Sequence, residues 1–212
     1  VYSWEDGSFS ELPSITLDIG KQDRSLRCNN FSMLDHDADG DQELVLSLGS
    51  PYRGFAILDL DSQGRLVIIK KIRPDEMLVG SGLLYSAVVD YDNDGYEDLL
   101  AVSPEGNTIK AQPFYNIGGI FDSGPLIRKN FEGISGILHN SFQLTDWDAD
   151  GFKDVLAPFR SGDIIALTLT PATLVIERVP VQPGPLTQIE IADFNQDNYK
   201  DLLMLSSDIN AL

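Results

Sequence analysis

Acidic residues crowd four short stretches of this 212-residue chain, and their spacing is what could do chemistry. In Asp90-Tyr91-Asp92-Asn93-Asp94-Gly95-Tyr96-Glu97-Asp98, carboxylates fill positions 1, 3, 5 and 9, with glycine at position 6. So many acids on so short a turn repel one another unless a hard cation compensates them. Ca2+ takes roughly six to eight oxygens, and alternating Asp side chains in a tight loop supply them at the right reach. Glycine lets the chain turn at positive φ, and position 7 can then offer its backbone carbonyl. The ligand set expected here is Asp90, Asp92, Asp94, Tyr96 (through its carbonyl) and Asp98.

The pattern occurs four times. Asp35, Asp37, Asp39, Asp41 and Glu43, around Gly40, form the first copy, and Asp146, Asp148, Asp150, Phe152 and Asp154, around Gly151, the third. Asp193, Asn195, Asp197, Tyr199 and Asp201 form the fourth, with Asn198 in the glycine position. That last copy is the poorest, because Asn195 gives a neutral oxygen and Asn198 must make a turn that glycine makes easily. Asparagine does visit the left-handed region more readily than most residues. First positions fall 55, 56 and 47 residues apart, a period that marks repeated structural units.

An EF-hand shares the first six loop positions but needs a Glu at position 12 and helices on both sides. Position 12 here is Leu46, Ala101, Ala157 and Met204, and the flanks are short aliphatic runs without helical spacing. The acid sits at position 9 in every copy. EF-hand is excluded, and with one cysteine, Cys28, so are cysteine-rich calcium repeats.

A calcium loop that closes at position 9 between two strands resembles the FG-GAP (VCBS-like) repeat of the integrin α-subunit β-propeller. Gly49-Ser50-Pro51, Ser103-Pro104 and Ala157-Pro158 follow the second strand of their units much as that family's Gly-Ala-Pro does, and Gly54, Gly106 and Gly162 then open the next strand. The resemblance implies an all-β propeller, 1–212 as one domain or part of one, with one calcium hairpin per blade. It further implies metal loops on one face and partner binding on the other. The expected role is a non-enzymatic, calcium-stabilised protein–protein or cell-adhesion module, outside the cell, on its surface or in the secretory lumen. A carbohydrate-binding propeller and a scaffold domain of a larger enzyme are the alternatives.

The elements that must position the loops are strands. Around the first loop run Phe31–Leu34, Leu44–Leu48, Gly54–Leu60 and Leu66–Ile69, four strands to a period, as in a propeller blade. The second unit repeats this with Leu83–Val89, Leu99–Val102, Thr108–Phe114 and a weaker strand near Leu126-Ile127, the stretch from Ile117 to Gly136 reading as an excursion. Phe142–Leu144, Val155–Ala157, Ile164–Leu169 and Leu174–Val179 make the third, and Ile189–Ala192 with Leu202–Leu205 make half of a fourth. Residues 1–20, including an alternating Ile15–Ile19, read as an outer pair without an inner one, and 21–30 as a polar link. Four repeats closed by residues 1–20, and a fragment of a larger propeller, both fit.

Net charge is −18 and 17 of the 33 acids lie in the four loops. Nucleic acid is thereby excluded as a partner. Four bound Ca2+ ions would bring the charge from −18 to −10. No run of about 18 apolar residues is present to span a membrane. The chain begins within a strand-like stretch at Val1 without a visible signal segment, as a mature or trimmed fragment would. Cys28 reads as a small buried or half-buried residue, Trp4 and Trp147 as fillers between sheets, and Asn30-Phe31-Ser32 as a glycosylation sequon. His36 sits at a loop position that points away from the ion, and His139 stands alone. No pairing of Glu105, Glu132, Asp163 and Glu177 suggests a hydrolase.

Overall fold

The computed structural model describes residues 4–5, 8–9, 28–49, 52–74, 78, 83–138, 141–170, 173–181, 184–197 and 200–206. The strand expected at Ile15–Ile19, the polar residues 21–27, Ser50-Pro51, His139 and Tyr199 lie outside the described residues. Within them every regular element is a strand, and no α-helix occurs. No described helix is therefore long and apolar enough to cross a membrane.

A short hairpin, β1 (Trp4–Glu5) with β2 (Ser8–Phe9), comes first. The first unit is an antiparallel sheet of β3 (Cys28–Leu34), β4 (Glu43–Leu48), β5 (Gly54–Leu60) and β6 (Leu66–Ile72), paired in chain order. Gly54 opens β5 for a steric reason: a Cβ there would sit 2.5 Å from the carbonyl oxygen of Ile72 on β6.

The second unit contains β7 (Tyr85–Val89), β8 (Asp98–Glu105) and β9 (Thr108–Ile117), followed by β10 (Ile120–Ser123) and β11 (Ile127–Asn130). Both short strands pair with β9, β10 opposite Phe114–Ile117 and β11 opposite Thr108–Ala111. Much of the expected excursion is thus a fourth strand broken in the middle. The break falls opposite Pro113, which has no amide for the ladder; there Gly124 N–H donates to the Pro113 carbonyl at 2.9 Å. The third unit is β12 (Gln143–Thr145), β13 (Asp154–Pro158), β14 (Ile164–Thr170) and β15 (Thr173–Arg178). The fourth is a two-stranded sheet, β16 (Leu186–Ala192) with β17 (Asp201–Ser206).

Successive sheets pack face to face. Leu34, Val45, Phe55 and Ile57 of the first meet Leu99, Ala101 and Phe114 of the second, with the Phe55 and Phe114 rings edge to face at 6.1 Å. Leu100, Val102 and Ile109 meet Val155, Ile165 and Leu167, and Leu156, Ile164 and Ala166 meet Leu186 and Ile189. Middle strands are therefore covered on both faces. That is why Leu99-Leu100-Ala101-Val102 is an unbroken apolar run, every residue fully buried. Each such Leu contributes about 2 kcal/mol by leaving water.

The first strands of the units lie together. Asn29 Nδ2 on β3 donates to the Leu84 carbonyl at 3.0 Å, and Asn30 exchanges two 3.1 Å bonds with the backbone of Ser86 on β7. The sequon's acceptor nitrogen is thus committed to this junction. Strands β3, β7 and β12 line one cleft of about 980 Å3, with Phe31, Met33 and Leu144 exposed along it and the charged Glu97 in its lining. Cys28, expected to be buried or half-buried, is an exposed free thiol at the start of β3, where the strand has not yet entered the core.

Candidate metal centres

The acidic stretches are the connections β3–β4, β7–β8, β12–β13 and β16–β17, so all four sit at the same end of their sheets. Position 4 takes a left-handed φ each time: 60° at Ala38, 55° at Asn93, 62° at Ala149 and 63° at Gln196. Position 6 has φ of 96° at Gly40 and 94° at Gly95 and Gly151. A Cβ on any of these glycines would meet nothing within 4 Å, so the demand for glycine is torsional rather than steric.

That backbone gathers the carboxylates. The position-6 amide donates to Oδ2 of the position-1 Asp at 3.1 Å in all three loops (Gly40 to Asp35, Gly95 to Asp90, Gly151 to Asp146). The position-7 amide donates to the position-5 Asp, at 2.9 Å for Asp41, 2.8 Å for Tyr96 and 2.9 Å for Phe152. Ligand atoms of Asp35, Asp37 and Asp39 come within 4.8 Å of one another, as do those of Asp90, Asp92 and Asp94, and of Asp146, Asp148 and Asp154. His36, Asp37 and Glu43 make a further grouping, in which His36 Nδ1 lies 2.8 Å from Glu43 Oε2.

Position 9 does a second job. Asp98 is 1% exposed; its Oδ2 accepts from the Tyr91 amide at 2.8 Å and its Oδ1 from Asn116, on the third strand, at 2.6 Å. Asp154 matches it, accepting from Trp147 at 2.9 Å and Leu169 at 3.0 Å. Glu43 accepts the His36 amide at 2.8 Å. This carboxylate ties loop to sheet, and only the third loop also brings it into the position-1 and position-3 grouping. Burial pushes the Asp98 carboxyl up to about 6, against the pull of its two amide donors and with a push from Asp92 and Asp90. Burial raises Asp154 likewise, and burial together with Asp94 raises Asp92. Each of these is a carboxylate whose charge the fold does not itself balance.

A cation fits these centres. The inner oxygens Asp35 Oδ1 and Asp90 Oδ1 are buried and have no hydrogen-bond partner, although each one's sister oxygen is held by a glycine amide. Leaving a buried carboxylate oxygen unmatched costs several kcal/mol unless something positive meets it. The donors of the second and third groupings are all oxygen, the set a hard cation takes.

The fourth loop is looser. The Asp197 amide donates to Asp193 Oδ1 at 3.0 Å and to Asn195 Oδ1 at 2.9 Å, and Asp201 Oδ2 accepts from Phe194 at 2.9 Å. Asn195 Nδ2 points at Asp197 Oδ2, at 3.0 Å. Among the described residues its acids do not come together as the others do.

Side chains beside the ligands vary with what faces them. Tyr91 is fully buried between the second and third sheets, its hydroxyl unpartnered and its ionisation strongly opposed by burial and by Asp98. Trp147, expected to fill a gap between sheets, is instead 43% exposed. Sequence reasoning missed two residues here. Glu97 Oε2 accepts the Asp35 amide at 2.8 Å, and Asn116 Nδ2 donates to the His36 carbonyl at 2.8 Å. An acid at position 8 was the visible signal for the first; nothing local marks the second.

Comparison with known protein-family models gives no match, and neither does comparison with curated protein sequences.

Proposed function

We propose that this protein is a calcium-stabilised β-propeller, whole or partial, of the FG-GAP type that its loops resemble, and that it works as a non-enzymatic protein-interaction or adhesion module outside the cell or in the secretory lumen. The observation that carries the calcium reading is the pair of orphaned inner oxygens, Asp35 Oδ1 and Asp90 Oδ1, inside rings of converging carboxylates. Ca2+ would be held by Asp35, Asp37 and Asp39, by Asp90, Asp92 and Asp94, and by Asp146, Asp148 and Asp154, with the position-7 carbonyls completing the shells. The fourth loop is the weakest site. The stacked antiparallel sheets, with first strands around a common cleft, support the propeller reading.

The β4–β5, β8–β9 and β13–β14 turns lie at the opposite end of the sheets from the metal loops, and they present Arg53 and Arg160, both exposed, in a chain of net charge −18. Arginine anchors protein interfaces while staying soluble when unbound. The partner is therefore expected on this face.

Calorimetric titration of chelator-treated protein tests the metal reading. Saturable Ca2+ binding with a rise in Tm that millimolar Mg2+ does not reproduce is the expected result. Unchanged melting with Ca2+ overturns it. For the interface, Arg53→Glu with Arg160→Glu should abolish partner capture without moving Tm, and unaltered capture would place the interface elsewhere.

A further inference from the structure

The first and second loops are joined by hydrogen bonds that, among the described residues, have no counterpart between the second and third. Glu97, at position 8 of the second loop, accepts the amide of Asp35, the first ligand of the first loop, at 2.8 Å. Its neighbour Asp98 accepts the Asn116 amide at 2.6 Å, and Asn116 Nδ2 in turn donates to the His36 carbonyl at 2.8 Å and the Glu97 carbonyl at 3.1 Å. Asn116 Oδ1 accepts the Gly119 amide at 2.9 Å, which fixes the β9–β10 turn against the first loop. Lys70 of β6 closes the circuit on the Gly119 carbonyl, its ammonium 5.4 Å from the centre of the Phe121 ring. Positions 8 and 9 of the second loop thus hold the backbone at positions 1 and 2 of the first. At the next junction Lys153 stands in place of Glu97 and apolar Leu169 in place of Asn116. Leu169 keeps the amide bond to Asp154, but its side chain is buried in the apolar core between the second and third sheets. Among the described residues no hydrogen bond joins the third loop to the second.

We infer that Ca2+ fills the first and second sites as a positively coupled pair, through Glu97 and Asn116 as positioning residues, while the third site fills independently. The inference rests on the calcium reading above. An ion that closes the second loop immobilises residues 90–98, and with them the Glu97 and Asn116 groups that hold Asp35 and His36. The first loop then loses less conformational freedom when its own ion arrives, and by linkage the second gains as much from the first. Electrostatic repulsion between two bound ions acts in the opposite direction, so a positive sign identifies the hydrogen-bonded tether as the carrier.

The test is a Ca2+ titration of the full chain followed site by site at the Gly40, Gly95 and Gly151 amide resonances, each amide being bonded to a position-1 ligand. Asp92→Ala should disable the second site, weaken first-site affinity about five- to tenfold and leave the third within about twofold. In a Glu97→Ala background, Asp92→Ala should affect the first site clearly less, the Asn116–His36 bond remaining, whereas Glu97→Gln, whose amide oxygen still accepts the Asp35 N–H, should keep the coupling in full. A purely structural role for Glu97 would lower Tm without changing this coupling factor. First-site affinity indifferent to Asp92→Ala overturns the inference, and needs no tether variant to fold. Coupling that survives Glu97→Ala undiminished overturns the assigned route. No response of any of the three amides to millimolar Ca2+ would defeat the calcium reading itself, a distinct result from three independent sites.

Discussion

The second and fourth loops carry nearly the same nine-residue pattern and end in different states. In the second, Asp98 is buried and bonded to two amides, one from its own loop and one from the third strand of its sheet. In the fourth, two strands lie among the described residues, and the amides that reach Asp201 there come from its own loop, Phe194 at 2.9 Å and Asn195 at 3.3 Å. Tyr91 is sealed into the core while Phe194, at the same loop position, is 54% exposed. The lesson is that the loop motif gathers carboxylates but the third strand and the neighbouring sheet hold them. A carboxylate bonded on both sides is fixed before the ion arrives, which lowers the ordering cost of binding.

Removing metal is the largest expected perturbation of this difference. Each site saturated a hundredfold above its Kd contributes about 2.7 kcal/mol, worth about 5–10 °C of Tm in a chain of this size. Asp92→Ala or Asp148→Ala should forfeit such an increment in calcium, and Asn195→Ala well under half of it. Equal losses in calorimetric titration of the three variants would erase the distinction between the strong loops and the fourth.

Next in size is the bare scaffold. In chelated protein, Asp98→Ala strands two amide donors, Tyr91 and Asn116, and should cost about 3 kcal/mol; Asp201→Ala, in an exposed loop, should cost about 1 kcal/mol. Urea denaturation compares them, and similar midpoints would show that burial at position 9 does not matter.

pH sharpens the same contrast. The Asp98 carboxyl is raised to about 6 from an ordinary value of 3.8, so the folded metal-free protein holds this proton more tightly than the unfolded chain does. The stabilisation from that proton is complete below about pH 4 and lost as pH rises through about 6, a swing of about 3 kcal/mol. Asp154 and Asp92 move in the same direction. Stability of the chelated protein should therefore fall across this window, and Asp98→Asn should flatten much of the fall. Stability that rises between pH 4 and 6 in chelated protein would contradict the burial argument.

The smallest effect is torsional. Gln196 holds a φ of 63° where the second loop has Asn93 at 55°. Gln196→Gly should raise Tm by the equivalent of about 1 kcal/mol and Asn93→Gly by less, since asparagine already tolerates the left-handed region. A larger gain at Asn93 would invert the ranking of the two turns.

Sequence by itself determined the loops and most of the strands. Acid spacing and a glycine at position 6 are local properties, and a nine-residue turn between two β-branched or aliphatic runs can hardly do anything else. The unbroken run Leu99–Val102 likewise announces a strand covered on both faces. Tertiary structure decided which acids converge in clusters that could hold a metal ion and which tie the loop to its sheet. Position 9 is acidic in all four copies, yet among the described residues Asp98 and Asp154 are buried and bonded to a third strand more than a dozen residues away, while Asp201 is half-buried. It also decided the break opposite Pro113, the exposure of Trp147 and Cys28, and the Glu97–Asn116 link to the first loop. Asn116 lies 80 residues from His36, whose carbonyl it holds at 2.8 Å; a contact that distant has no periodicity to betray it, and only the packing of one sheet on the next brings the two together.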